Sequence, residues 1–190
     1  FVILIVVMTY KVGDSVCSHM LTPFLIDLDF SRAEIGAIQK GLGLAATIVG
    51  ALVGGGLVAK LGLLRSLLIF GVLQAVANVL YALLALVGRD HMLLVVAIGV
   101  DNLFNGLGQA AFVAFLMSLC NVDFSATQYS LFSSAMSFVG KTLGGGSGLV
   151  ADIAGWPAFF VITLIAALPA LVLIFFMPKN FDVRAKADAD

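Results

Sequence analysis

The chain has 190 residues, of which 62% are hydrophobic and 11% charged, and a formal net charge of −1. Soluble domains carry about 25% charged residues, so this composition excludes a soluble fold. It also gives no basic surface with which to bind nucleic acid, and the partner it demands is a lipid bilayer.

A membrane span needs about 20 mainly apolar residues. Six runs qualify: 1–28, 35–59, 66–87, 92–119, 127–151 and 156–177. None alternates as a barrel strand would, and a spanning segment must satisfy its own backbone, so helices are predicted. The first run starts at Phe1 without an initiator Met or a signal-peptide pattern, so further protein is expected upstream. It carries Lys11 and Asp14, three residues apart on one helical face and close enough to pair. Cys17 lies within it, and Cys120 follows the fourth run; two small buried thiols are expected rather than a disulfide.

The second run opens with Phe30-Ser31-Arg32-Ala33, where Ser31 and Glu34 have the spacing of a capping box. Gln39 and Lys40 follow near its outer mouth, and Lys40 can snorkel to the interface. Gly54-Gly55-Gly56 near its end suits close helix packing. His91 precedes the fourth run with no second metal ligand nearby in sequence. That run carries Asp101, Asn105 and Gln109 at i, i+4 and i+8, with Asn102 beside them and Gly106 and Gly108 among them. The fifth opens with Phe124-Ser125-Ala126-Thr127, and Ser125 to Gln128 repeats the cap spacing. Ser130, Ser134, Ser137 and Lys141 form a stripe along it, followed by Gly144-Gly145-Gly146 and Gly148. After the sixth run, residues 178–190 mix charge with Ala and read as a cytoplasmic tail on a 1–177 bundle.

The second and fifth runs start and end alike. Phe30-Ser31 matches Phe124-Ser125, and Gly56-Leu57-Val58-Ala59 matches Gly148-Leu149-Val150-Ala151, at an offset of about half the chain. Three helices followed by three similar ones, the second trio entering from the opposite face, make a 3+3 inverted repeat, as in secondary transporters. With six spans both ends share a side. Lys60, Arg65, Lys179, Arg184 and Lys186 fall on that side, against Arg32 and Arg89 on the other, so both ends are expected in the cytoplasm.

A charge at mid-bilayer costs on the order of 3 kcal/mol, so each one calls for a reason. Lys11 and Asp14 can neutralise one another or serve transport. Asp101 and Lys141 both fall near the midplane and are expected in a water-filled cavity. Asp14 and Asp101 are the deep acids and hence the candidates for proton coupling. Asn102, Asn105, Gln109, Ser130, Ser134 and Ser137 can hydrogen-bond a polar solute, and Lys11 or Lys141 can meet a carboxylate. GxxxxGK[ST], HExxH and GxSxG are all missing from the sequence. ATP, a metal or another cofactor is therefore not expected, and neither is an enzyme.

Gly55-x-x-x-Ala59-Lys60-x-Gly62-x-x-Arg65 resembles the signature loop of the major facilitator superfamily, G-x-x-x-D-R/K-x-G-x-R/K-R/K, with Ala59 in place of the acid. Tyr10-Lys11-Val12-Gly13-Asp14, Phe30 to Gly36, Ala110 to Cys120 and Phe124 to Leu131 resemble the AmpG-type muropeptide permeases of that superfamily, over nearly the whole chain and in their second six-helix half. Eukaryotic acetyl-coenzyme A transporters share a similar plan. The resemblance implies proton-driven import of N-acetylglucosamine–anhydro-N-acetylmuramyl peptides across the bacterial inner membrane for recycling, with an N-terminal six-helix half as partner. The alternatives are a carrier of another anionic solute such as acetyl-coenzyme A, a six-helix channel working as a homo-oligomer, and a membrane enzyme acting on cell-wall fragments, which the lack of a catalytic cluster argues against.

Overall fold

A computed structural model describes Tyr10, residues 12–119 and residues 125–176. Lys11, Cys120 and the tail from 178 onward lie outside the described residues, as does the side chain of Ser125. The described residues form seven α-helices and no strand. These are α1 (Val12–Asp27), α2 (Arg32–Ile38), α3 (Leu44–Leu61), α4 (Leu63–Val87), α5 (His91–Leu119), α6 (Ser125–Ala154) and α7 (Trp156–Phe175). A π-helical turn, Gln39–Gly43, joins α2 to α3 into one rod. The sequence predicts an uninterrupted α-helix there. Gly41 and Gly43 weaken the local helix, and the Asn102 side chain of α5 lies where a Cβ on Gly43 would stand, 3.2 Å from its Nδ2. The turn widens the rod at that contact.

Arg32–Leu61, α4, α5 and α7 are long and apolar enough to cross a membrane. The described part of α1 has 16 residues. α6 has 30, but its Ser, Thr and Gly residues dilute its apolar content. Corners between helices are tight. Gly62, Gly88 and Gly155 adopt φ of 86°, 88° and 75°, a region glycine enters without a steric penalty. Gly62 alone separates α3 from α4. The Ser31 capping box forms as predicted: the Ser31 amide donates to Glu34 Oε2 at 2.7 Å, and the Glu34 amide to Ser31 Oγ at 3.2 Å. Glu34 Oε1 also accepts from His91 Nε2 at 3.0 Å, with Arg89 at 3.5 Å, which ties the α1–α2 corner to the α4–α5 corner.

In order of contact, α3 packs on α5, α5 on α4, α4 on α7, α1 on α6 and α1 on α7, while α5 and α6 meet only sparsely. Two apolar clusters hold the bundle. One gathers Tyr10, Leu67, Phe70, Phe112, Phe115 and Ile174. The other gathers Cys17, Phe24, Tyr81, Ile98, Phe159 and Phe160. Along α4, Gln74 and Asn78 fall between the two, and along α5 Asp101 and Asn105 do the same. On α1, Asp14 lies between Tyr10 and Cys17. Gln74 is about 16 Å along α4 from Leu63 at 1.5 Å per residue. The fold therefore has a polar layer at mid-depth between two apolar plugs. Large apolar side chains elsewhere face outward, as on a surface bathed by lipid: Leu52 is 74% exposed and Ile153 86%.

Candidate functional site

Within the polar layer Asp101 is fully engaged. Gln74 Nε2 donates to its Oδ1 at 2.7 Å and Tyr81 Oη to its Oδ2 at 3.1 Å. Both donors come from α4, one on either side of Asn78, so Asp101 fastens α5 to α4. Gln74 and Asn78 are 7% and 2% exposed. Gln74 Oε1 and Asn78 Oδ1 have no hydrogen-bond partner among the described residues. Both residues line a chamber of about 20 Å³ shared with Tyr10, Asp14, Asn105 and Gly108, which is room for about one water molecule. Buried amide oxygens of this kind are normally satisfied, and a water in the chamber would meet that need.

The chamber adjoins a larger opening. Where α5 and α6 diverge, a cleft of about 370 Å³ is lined by Asp14, Ser15, Ser18 and His19 of α1, by Asn105 and Gln109 of α5, and by Ser133, Met136, Ser137 and Gly140 of α6. Asp14 and Asn105 line both spaces. The α1 wall stands close to α6 because Gly140 and Gly144 face it. A Cβ on Gly140 would lie 2.5 Å from Ser15 Oγ, and one on Gly144 3.3 Å from the His19 ring. His19 Nδ1 donates to the Ser15 carbonyl at 2.6 Å. A carbonyl only accepts, so the proton of the neutral ring is fixed on Nδ1 and Nε2 keeps its lone pair.

The residues proposed from sequence are thus divided. Asp14, Asn105, Gln109 and Ser137 meet in the cleft. Asp101 stands apart, bound to α4. Asn102 turns to the opposite side, where its Oδ1 accepts from Thr47 Oγ1 at 3.2 Å and its Nδ2 donates to the Ile98 carbonyl at 2.8 Å. Ser130, Ser134 and Lys141 are exposed on α6, and the Ser130 hydroxyl donates to its own helix at Thr127 O. At about 100° per residue, Lys141 is turned by that angle from Gly140, so these three form a strip flanking the cleft wall. Lys11 lies outside the described residues. Sequence reasoning missed Ser15, Ser18, His19, Ser133, Gln74, Asn78 and Tyr81. His19 was the most legible of these, being an ionisable group inside a span. No metal-binding group of His, Cys, Asp and Glu occurs among the described residues.

Residues 2–190 match the Major Facilitator Superfamily. The chain is 43% identical over 176 residues to the anhydromuropeptide permease of Escherichia coli K12, covering 92% of this chain and 36% of that protein. It is 36% identical over 172 residues to the transporter AmpG 1 of Rickettsia bellii, covering 90% of this chain and 42% of that protein. For the transporter AmpG 4 of Rickettsia felis the identity is 35% over 181 residues, with coverages of 95% and 44%. The chain therefore spans less than half the length of these relatives. They are permeases and transporters rather than enzymes, and their kinship agrees with the apolar helices and the polar cleft. The chain is a multi-pass membrane protein that belongs to the Major Facilitator Superfamily, with the AmpG-type permeases as its kin.

Proposed function

We propose that this chain is one half of a proton-coupled importer of cell-wall muropeptides, N-acetylglucosamine–anhydro-N-acetylmuramyl peptides, in the bacterial inner membrane. The observation that carries this reading is the polar cleft between α1, α5 and α6 in a chain 43% identical to an anhydromuropeptide permease. Hydroxyls and amides on the cleft wall suit a ligand rich in sugar hydroxyls and peptide groups. Six spans in a 3+3 inverted arrangement account for the sequence repeat. A second six-helix half, N-terminal to this one, accounts for relatives more than twice as long, since substrates of such carriers bind between repeats at mid-membrane. Both ends are cytoplasmic on this reading, with residues 1–177 as the bundle and 178–190 as its tail.

Asp14, Asn105, Gln109 and Ser137 contact the ligand from within the cleft. Lys141, with Ser130 and Ser134 beside it, meets the ligand's carboxylates from the flanking strip, and Lys11 approaches from α1. Asp14 is the coupling carboxylate of this half, and Asp101 with Asn102 holds the helices in place.

The test is uptake of labelled muropeptide by liposomes holding this chain together with its partner half, under an imposed pH gradient. Uptake is expected to stop when a protonophore collapses the gradient. Gln109→Ala is expected to lower uptake about three- to tenfold, the worth of one hydrogen bond, and Lys141→Met to lower it most for ligands rich in carboxylates, both with unchanged melting temperature. Uptake of another anion but not of muropeptide would refute the substrate assignment, and robust uptake by residues 1–190 alone would refute the two-half assembly.

A further inference from the structure

The cleft holds a second ionisable group that the reading above leaves without a task. His19 lies on the same wall as Asp14, its ring against the backbone of Gly144 and its Nδ1 proton held by the Ser15 carbonyl at 2.6 Å. That bond leaves Nε2 as the variable atom. In the neutral ring Nε2 is a lone-pair acceptor, which repels a carboxylate and accepts from a hydroxyl or amide N–H. When the ring takes up one proton from water at Nε2, the same atom becomes a cationic donor, suited to a charge-assisted bond with a carboxylate.

Apart from the carboxylate of Asp14, which disfavours an anion beside it, the rest of the wall does not discriminate charge. Ser15, Ser18, Asn105, Gln109, Ser133 and Ser137 each carry a donor and an acceptor. The charged groups on the helices packed against α1 are few. α6 contributes Lys141, exposed one residue past Gly140, and Asp152 near its far end; α5 contributes Asp101, bonded to Gln74 and Tyr81, and His91 at its start, bonded to Glu34; α7 contributes none; and α2 has Arg32 and Glu34 at its start. On α1 itself the described neighbours are Asp14 and, at the end of the helix, Asp27.

We propose that His19 is a proton-linked receptor for a carboxylate of the transported ligand, binding it as imidazolium through Nε2 while Nδ1 stays anchored to Ser15. This rests on the muropeptide reading and deepens it: the ligand's carboxylate brings a proton to His19 beyond the one that Asp14 carries for coupling. By linkage, affinity for the anionic ligand rises as pH falls, by at most about tenfold per pH unit for one proton.

The experiment uses the carrier with both halves in detergent and two probes, a muropeptide with free carboxylates and the same compound with its carboxylates amidated. Calorimetry on the wild type, in two buffers of different ionisation enthalpy, is expected to show uptake of up to one proton more with the free acid than with the amide. Equal uptake with both probes, or none with either, overturns the proposal. His19→Gln keeps a polar side chain but cannot titrate. It should bind the amide as the wild type does and lose the extra pH slope that the acid shows over the amide. A full slope surviving in His19→Gln assigns the proton to Asp14 or another group and overturns the proposal. If neither probe binds the wild type at any pH, the muropeptide reading itself falls and takes this one with it.

Discussion

At the α3–α5 crossing, Gly50 and Gly106 bring two backbones together with no side chain between them, whereas at the α1–α6 crossing Gly140 and Gly144 receive Ser15 and His19. A Cβ on Gly106 would lie 2.8 Å from the Ala51 nitrogen and 3.0 Å from the Gly50 Cα. A Cβ on Gly140 would meet the Ser15 side chain, and the nearest atoms to one on Gly144 belong to the His19 ring. In the proposed repeat these crossings are counterparts, each pairing a second helix of one trio with the first of the other. The first is a backbone lock. The second keeps a layer of polar side chains between its helices and opens beside them into the cleft. Glycine at a helix crossing thus serves two ends, and what it faces decides which.

Three substitutions probe this difference. Gly106→Leu should have the largest effect. Its neighbours are backbone atoms that cannot rotate aside, so the loss should reach about 3 kcal/mol or more, seen as poor membrane insertion and a collapsed melting temperature in detergent. A stable Gly106→Leu protein would show that the α3–α5 contact is not a lock. Gly140→Ala should cost about 1 kcal/mol, because the Ser15 hydroxyl can turn away. The pair Gly140→Ala with Ser15→Ala should recover most of that loss, and strict additivity would show that the two residues do not touch. Gly146→Ala should matter least. Among the described residues no other side chain or helix lies within 4 Å of a Cβ placed there, so alanine should leave stability unchanged or raise it by up to about 1 kcal/mol through helix propensity.

The last two predictions also mark the limit of what the sequence discloses. Gly144-Gly145-Gly146 reads as one packing motif, yet adjacent residues on a helix point about 100° apart, so a run of three cannot serve one neighbour. Gly144 meets His19, while Gly145 and Gly146 meet nothing within 4 Å. Gly54-Gly55-Gly56 behaves likewise, with Gly54 against Leu107 and the other two in the open. Helix content and the Ser31 cap were legible because they depend on residues three or four apart. The i, i+4, i+8 stripe of α5 was legible as a stripe but not in its use. Asp101, Asn105 and Gln109 share a face, yet Asp101 is claimed by Gln74 and Tyr81, 27 and 20 residues away, whereas Gln109 opens to the cleft. The polar groups of α4 went unnoticed because they are uncharged and sit singly in an apolar run. Their importance arises from α1, α5 and α7 closing around them, which no spacing within α4 records.

The polar layer between two apolar plugs bears on electrical insulation. A carrier that lives on an ion gradient must not let ions leak past it. A thread of water along the bundle axis would have to displace Phe70, Phe112 and Phe115 at one end and Tyr81, Phe159 and Phe160 at the other, all 2% exposed or less. Hydrocarbon is a poor conductor, so on the proposed function a membrane voltage would fall over the plugs. From the mid-depth chamber, Asp14 and Asn105 lead sideways into the cleft. On the proposed function, charge reaching the layer by that route would travel with whatever occupies the cleft, and so would be tied to the passage of solute.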